Sequence, residues 1–138
     1  MTAQKAGTRP LGLVRTGLIA VLAAVAATTL AAGIAMAAGV DFEIPDGGES
    51  IPLPGFAVVT GFFSAVGVVI AAALRRWSAR PAERFVVTAV ALTGLSLVPP
   101  VVSGADTATI AVLIGLHIVP AAVMIFALTR SLRASSEV

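Results

Sequence analysis

The sequence predicts an all-α membrane protein, a four-helix transmembrane bundle with a short extracytoplasmic hairpin or flap between the first and second helices. Of its 138 residues, 58% are hydrophobic and only 12% are charged. That is too little polar surface to cover a soluble globule of this size. Four apolar stretches of about 20 residues each have the length that crosses a bilayer.

The charged residues lie on opposite sides of these stretches according to their sign. The basic residues share one side: Lys5, Arg9, Arg15, Arg75, Arg76, Arg80, Arg84, Arg130 and Arg133. Most of the acidic residues share the other: Asp41, Glu43, Asp46, Glu49 and Asp106. Because short basic loops stay in the cytoplasm, both termini are expected to be cytoplasmic.

The predicted single domain has spans at about 16–38, 56–74, 82–102 and 107–129, an extracytoplasmic flap at 39–55 and a cytoplasmic loop at 75–81. Its arginine, alanine and glycine usage is typical of a GC-rich bacterium, which favours a bacterial plasma membrane. The lipid bilayer is the expected partner. Nucleic acid is not expected, because every basic residue flanks a span and can meet anionic headgroups.

The first span also admits a second interpretation. Ala35-Met36-Ala37 has the small-x-small form of a signal-peptidase site. However, the apolar run is longer than the apolar core of a signal peptide, which has roughly 7 to 15 residues. We therefore favour an uncleaved membrane anchor.

The flap alternates apolar and acidic residues on both sides of a predicted turn at Asp46-Gly47-Gly48. One interpretation is a lid or docking element that packs four apolar side chains on the outer mouth of the bundle: Phe42, Ile44, Ile51 and Leu53. The simpler interpretation, which we favour, is a connection that is acidic so that it translocates and stays solvated.

Small residues recur one turn apart in Gly33-x-x-x-Ala37, Gly61-x-x-x-Ala65 and Gly67-x-x-x-Ala71. Such spacing lets helices approach closely in lipid, where packing drives association. In an alanine-rich chain these pairs also arise by chance, so they predict a tight bundle without locating an interface between copies.

Prolines interrupt the third and fourth spans. Pro99-Pro100 lies near the end of the third span, and Pro120 lies inside the fourth. Proline removes the hydrogen bond to the carbonyl four residues earlier, which frees Leu116 in the fourth span. In lipid that carbonyl needs another partner.

His117 is the only ionisable side chain inside a span, and it follows Leu116 directly. Counted from the outer ends, it lies near the depth of Thr93 and Ser96 on the third span, Ser64 on the second, and Thr28 or Thr29 on the first. A buried ionisable residue in a membrane is a functional-site hypothesis, because leaving it unpaired is costly. The candidate ligand-binding residues are therefore His117, Ser96, Thr93 and Ser64.

A structural interpretation of His117 carries at least equal weight. A neutral imidazole that donates to Thr93, Ser96 or the Leu116 carbonyl would hold two helices in register without any turnover. Metal ligation is not expected, because the chain has no cysteine and no carboxylate near this histidine. No cofactor and no catalytic residue are predicted.

Several short motifs resemble a known family. They are the acidic first loop, the arginine-rich turn, Leu95-Ser-Leu-Val-Pro-Pro100, Asp106-Thr-Ala-Thr109 and Leu116-His-Ile-Val-Pro120. Together they resemble a domain-of-unknown-function family of small four-helix integral membrane proteins from high-GC bacteria. The resemblance covers nearly the whole chain and implies the four-span topology. It implies no substrate, activity or cofactor.

The sequence favours a non-enzymatic structural or accessory protein that self-associates or sits in a larger envelope or membrane complex. The alternative is a small-ligand or proton-handling binding protein, whose pocket opens outward between the third and fourth spans around His117. An enzyme is not expected, because no nucleophile and base are paired.

Overall fold

The computed structural model describes residues 2–45 and 49–136, with side chains described from residue 12 to residue 135. Its helices are α1 (Thr2–Ala37), α2 (Leu53–Trp77), α3 (Pro81–Ser96), α4 (Val98–Val102) and α5 (Thr107–Ser136). Two short strands, β1 (Glu43–Ile44) and β2 (Glu49–Ser50), lie between α1 and α2. The predicted turn at 46–48 lies outside the described residues.

Four segments are long and apolar enough to cross a membrane: Gly12–Ala37, Leu53–Trp77, Pro81–Val102 and Thr107–Ser135. The third combines α3 and α4. Large apolar side chains cover the outside of these helices, as Leu22, Phe62 and Val102 illustrate. Lipid tails are the solvent that such a surface requires. The predicted four-helix membrane fold is confirmed.

Two clusters of buried side chains show that neighbouring spans run in opposite directions. The first cluster joins the early part of α1, the end of α2, the start of α3 and the end of α5, with Leu13, Ala71, Phe85 and Leu128 among its members. We call this the basic end, because the described arginines lie there. The second cluster joins the other ends of α1, α2 and α5, and we call that the acidic end.

Close packing of α1 against α2 depends on a glycine that the small-residue motifs did not include. A Cβ atom added to Gly17 would lie 2.8 Å from Val68 Cγ1, so the two helices touch there without room for a side chain. Of the predicted motif residues, Gly61 faces Val25 of α1 and Ala71 is fully buried. Gly33 faces open space.

The third span breaks where the prolines predict. α3 ends at Ser96, Leu97 forms a turn, and α4 carries Pro99 and Pro100 in its first turns. Gly104 then adopts a positive φ of 75°, which glycine tolerates best. The fourth span differs, because α5 continues through Pro120 as one helix.

Asp106 caps the start of α5. Its Oδ1 accepts a hydrogen bond from the backbone N–H of Thr109 at 2.6 Å. This bond satisfies one of the free donors at the helix N-terminus. The hydrogen bond from the Thr109 backbone lowers the pKa of Asp106 below its usual value of 3.8.

The flap is folded onto the acidic end. β1 and β2 pair in antiparallel register, Glu43 with Ser50 and Ile44 with Glu49. Phe42 is fully buried despite a positive φ of 53°, and its ring meets the Phe56 ring edge-on at 4.8 Å. Ile44, Ile51 and Leu53 pack against the same cluster. The apolar side chains of the flap therefore pack on the bundle as the first of the two interpretations proposed.

Candidate functional site: a cavity among α2, α3 and α5

A cavity of about 350 Å³ lies inside the membrane-spanning part of the bundle. Its walls come mainly from α2, α3 and α5, with Thr28 contributed by α1 and Ile51 by the flap. The volume is within the range of small-molecule sites, about 300 to 1,000 Å³. The space arises because α3 contributes only Pro81 and Phe85 to the buried core, so it packs loosely against α2.

All four residues predicted to form a site line this cavity: Ser64 on α2, Thr93 and Ser96 on α3, and His117 on α5. Thr28 joins them, whereas Thr29 does not line the cavity. Counting residues inward from the helix ends therefore placed these polar groups at a common depth on facing helices.

The imidazole of His117 is hydrogen bonded to its own helix. Its Nδ1 lies 2.6 Å from the carbonyl oxygen of Leu113, one turn earlier on the same helix. A carbonyl oxygen only accepts, so Nδ1 carries the proton and donates. In the neutral ring Nε2 is then an acceptor, and it makes no hydrogen bond with the described part of the chain.

Thr93 and Ser96 also hydrogen bond within their own helix. The Thr93 hydroxyl donates to the Ala89 carbonyl at 2.7 Å, and the Ser96 hydroxyl donates to the Thr93 carbonyl at 2.6 Å. The expectation that His117 donates to Thr93, Ser96 or Leu116 is therefore wrong. Side chains of this kind often bond to the preceding turn, which satisfies the donor without a neighbouring helix.

Other polar groups at the cavity have no partner. The Thr28 side chain is 1% exposed, and its Oγ1 makes no hydrogen bond. Neither Ser64, which is also buried, nor Thr60 bonds to any residue that the structure describes. A buried hydroxyl without a partner costs about 1 to 3 kcal/mol. These groups can therefore bind a polar atom placed in the cavity.

The rest of the wall is apolar. It includes Phe56, Phe63, Phe85, Leu116 and Met124. Among the residues whose side chains are described, no Asp, Glu, Lys or Arg lines the cavity. The described residues also contain no group of three His, Cys, Asp or Glu side chains that could hold a metal ion. An occupant that suits these walls is uncharged, mostly apolar and equipped with one hydrogen-bonding group.

The mouth of the cavity faces the lipid between α2 and α3. Val59 and Phe63 on α2 and Leu92 on α3 line the cavity and are also exposed on the outside of the bundle. Ile51 and Phe56 close it toward the acidic end, beneath the flap. The opening predicted from the sequence, outward between the third and fourth spans, differs from this position.

Two lining residues were missed by the sequence reasoning. Thr60 and Gly67 lie on the same face of α2 as Ser64, at helical spacing. That spacing was available in the sequence, because residues 60, 64 and 67 follow the i, i+4, i+7 pattern. Gly67 matters because a Cβ atom there would meet nothing within 4 Å, which leaves the cavity wide beside it.

Comparison with known proteins identifies the family. The model of a family of unknown function, DUF6069, matches residues 8–134, nearly the whole chain. The protein belongs to this family, as the resemblance of its motifs indicated. No curated protein and no solved structure matches the chain.

Proposed function

We propose that this member of the DUF6069 family binds a small, neutral, membrane-soluble molecule in the cavity among α2, α3 and α5. One observation carries the proposal: Thr28 lines the cavity, and its buried hydroxyl has no partner. If this position served only the packing of the bundle, an apolar side chain there would give a more stable protein. A ligand with a hydroxyl or carbonyl group satisfies it.

The chemistry of the walls defines the ligand further. Ser64 and Thr60 can donate to it, and the free Nε2 of His117 can accept from it. Both kinds of partner suit an alcohol or phenol. A charged ligand would lie in an apolar cavity without a counter-charge, which is costly. Entry from the bilayer between α2 and α3 suits a molecule that is already dissolved in lipid.

A proton-handling role for His117 stays a prediction. His117→Gln keeps a donor and an acceptor at this position but takes up no proton. Ligand binding with the same pH dependence in the variant and in the natural protein would count against that role.

The orientation that we propose follows the charges. The basic end faces the cytoplasm of a bacterium, with both termini inside, and the acidic flap faces outward. α1 is part of this bundle as an uncleaved anchor. In support, it contributes Leu13 to one buried cluster and Ala32 to the other, so its removal would expose both.

An accessory role in a larger assembly stays a prediction. Its motivation was the small-residue motifs, and Gly61 and Ala71 are used inside the bundle. Ala65 lies on the exposed surface of the bundle, and a Cβ atom at Gly33 would meet nothing within 4 Å. A helix of another protein could approach at both positions. We expect no enzymatic activity, because Nδ1 of His117 is bonded to a backbone carbonyl and no hydroxyl of the described residues is hydrogen bonded to its ring.

Photolabelling tests the proposed binding directly. The probe is an octanol that carries a diazirine, a neutral molecule with one hydroxyl group. Membranes that contain the protein are irradiated with increasing probe, and labelled peptides are located by mass spectrometry. We expect saturable labelling of cavity residues on α2, α3 and α5, with competition by unlabelled octanol.

A matched pair of variants controls for lipid-facing labelling. Gly67→Phe fills the cavity and should abolish the saturable labelling. Gly94→Phe places the same side chain on α3. A Cβ atom at Gly94 also meets nothing within 4 Å, but Gly94 does not line the cavity. It should leave the labelling unchanged. Labelling that is unsaturable, confined to outward residues such as Phe62, or equal in both variants would refute the proposal.

A further inference from the structure

A second concave surface lies on the outside of the bundle at its basic end. It is a groove of about 620 Å³ between α3 and α5. Val86 forms the α3 side, and a single face of α5 forms the rest, from Ala122 to Ala134. We call it the α3/α5 groove. It shares only Ile125 with the cavity described above.

The groove changes from apolar to basic along α5. Ile125 and Phe126 line the part nearer the membrane centre, and Arg130 and Arg133 line the part at the end of the helix. Ala122 and Arg130 are eight residues apart, which is about 12 Å along the axis. One leaflet of a bilayer core is roughly 15 Å thick. The apolar part therefore extends through most of one leaflet, with the arginines at the surface.

The two arginines have no carboxylate partner among the described residues. The ion pair found there joins Arg80 and Glu83 at 3.4 Å, on another part of the surface. Arg130 and Arg133 are exposed and one turn apart, so both guanidinium groups can reach one anion. Guanidinium groups bind phosphate oxygens through paired hydrogen bonds.

A buried hydroxyl lies beside the two arginines. Thr129 lines the groove, its side chain is 8% exposed, and its Oγ1 makes no hydrogen bond. It lies directly before Arg130, at the boundary between the apolar and basic parts. A hydroxyl in that position needs a polar partner, and lipid tails cannot supply one.

We propose that the α3/α5 groove is a specific site for one anionic phospholipid. Its phosphate group binds Arg130 and Arg133 and accepts a hydrogen bond from Thr129. One acyl chain lies along Phe126, Ile125 and Val86 toward the membrane centre. Basic pockets between membrane helices bind anionic headgroups in this way. The continuous apolar floor favours a lipid over free phosphate, because free phosphate would leave that floor unused.

Native mass spectrometry of the detergent-solubilised protein tests this site. Phosphatidylglycerol, phosphatidylcholine and inorganic phosphate are titrated separately. We expect one tightly bound phosphatidylglycerol, with phosphatidylcholine at least about tenfold weaker because its headgroup carries no net charge. Inorganic phosphate should neither bind stably nor displace the lipid at matched concentration. Displacement by phosphate alone would show an anion site without lipid specificity and would overturn the proposal.

Two variants and a control separate the groove from general surface charge. Arg130→Gln with Arg133→Gln should weaken phosphatidylglycerol binding by about tenfold or more. Thr129→Val keeps the charge and the shape and should weaken it several-fold, without loss of thermal stability, because its hydroxyl has no partner in the bundle.

The control, Arg15→Gln with Arg76→Gln, removes the same charge from the same end on α1 and α2. It should leave the tight site unchanged. Equal weakening in the control and in the Arg130/Arg133 variant would mean a nonspecific electrostatic effect. Unchanged binding in Thr129→Val would show that the hydroxyl is not part of a site. Either result contradicts the proposal.

Discussion

The two sides of α5 are packed differently. On one side α1 lies close, because the residues that it buries are small: Ala20, Ala24 and Ala32 are almost completely inaccessible. On the other side α3 buries only Pro81 and Phe85, and a cavity and a groove lie along it. In lipid, close packing of small side chains is what holds helices together. The contrast shows that α1 is closely packed in the bundle, whereas a cavity and a groove lie beside α3.

The hydroxyl groups that line these two spaces differ in their bonding. Thr28 and Thr129 have buried hydroxyl groups without partners, and each lines one of the two spaces beside α3. Thr29 and Thr109 also have buried hydroxyl groups without partners, but they line neither space. Thr93 and Ser96, which line the cavity from α3, bond within their own helix.

The largest effect is expected at the flap on the well-packed side. Phe42→Ala removes a fully buried ring from a cluster that includes Ala32, Leu113 and Leu116. By analogy with core aromatic truncations, the free energy of unfolding should fall by about 3 kcal/mol. Thermal unfolding in detergent measures it. The control is Phe62→Ala, because the Phe62 ring on α2 is exposed; its free energy of unfolding should change little. An equal loss in both variants would contradict the packing of the flap on the bundle.

The contact between α1 and α2 is the next most sensitive. Gly17→Ala places a methyl group 2.8 Å from Val68 Cγ1, and the branched Val68 has little freedom to move away. We expect a loss of about 2 kcal/mol in unfolding free energy, as for overpacked cores. Adding Val68→Ala should recover part of it.

Gly33→Ala is the matched control for that substitution. Its Cβ atom meets nothing within 4 Å, so the better helix propensity of alanine should give a gain of up to about 1 kcal/mol. If Gly17→Ala is as well tolerated as Gly33→Ala, α1 does not approach α2 in the way described.

A smaller effect of opposite sign is expected beside α3. Thr28→Val removes a buried hydroxyl without a partner, so the ligand-free protein should gain about 1 kcal/mol in unfolding free energy. The same change should weaken photolabelling by the diazirine octanol. Thr93→Val removes a hydroxyl that is bonded to its own helix and should not stabilise the protein. A stability loss in Thr28→Val would mean that the hydroxyl has an undetected partner.

The smallest effect concerns the cap of α5. The pKa of Asp106 is lower in the folded protein than its usual 3.8, so its charge stabilises the fold above that pH. This contribution is lost as the pH falls through the folded pKa. Asp106→Asn should lower the melting temperature by a few degrees at pH 7, and the difference from the natural protein should shrink below about pH 4.

Glu83→Gln provides the comparison for Asp106. Its ion pair with Arg80 is exposed, so little change is expected at any pH. A difference between Asp106→Asn and the natural protein that stays constant down to pH 3 would contradict the assignment of the effect to the carboxylate charge.

Hydropathy and charge alone were sufficient to predict the four spans, because the bilayer constrains helix length and loop charge strongly. The depth of Ser64, Thr93 and His117 could also be predicted, since the rise per residue of a helix is constant. Their bonding could not. Whether a hydroxyl or an imidazole bonds to its own helix or to a neighbour depends on side-chain rotation and helix separation.

The same limit applies to helix packing. Gly17 is the glycine in close contact, yet nothing in the local sequence distinguishes it from Gly33, which faces open space. The difference arises from how α1 is rotated relative to α2. Asp106 as the cap of α5 was predictable in principle, because Asp directly before an apolar span is a preferred N-cap residue.

Nitrogen NMR of His117 is the most direct test of the proposed cavity site, because the chain contains one histidine and each ring nitrogen gives an unambiguous signal. Protein labelled with ¹⁵N-histidine is measured in lipid at pH 8 with increasing octanol. We predict a neutral ring protonated at Nδ1 and a saturable shift of the Nε2 signal, which Gly67→Phe abolishes. A ring protonated at Nε2, or an Nε2 signal that octanol does not move, would contradict the account.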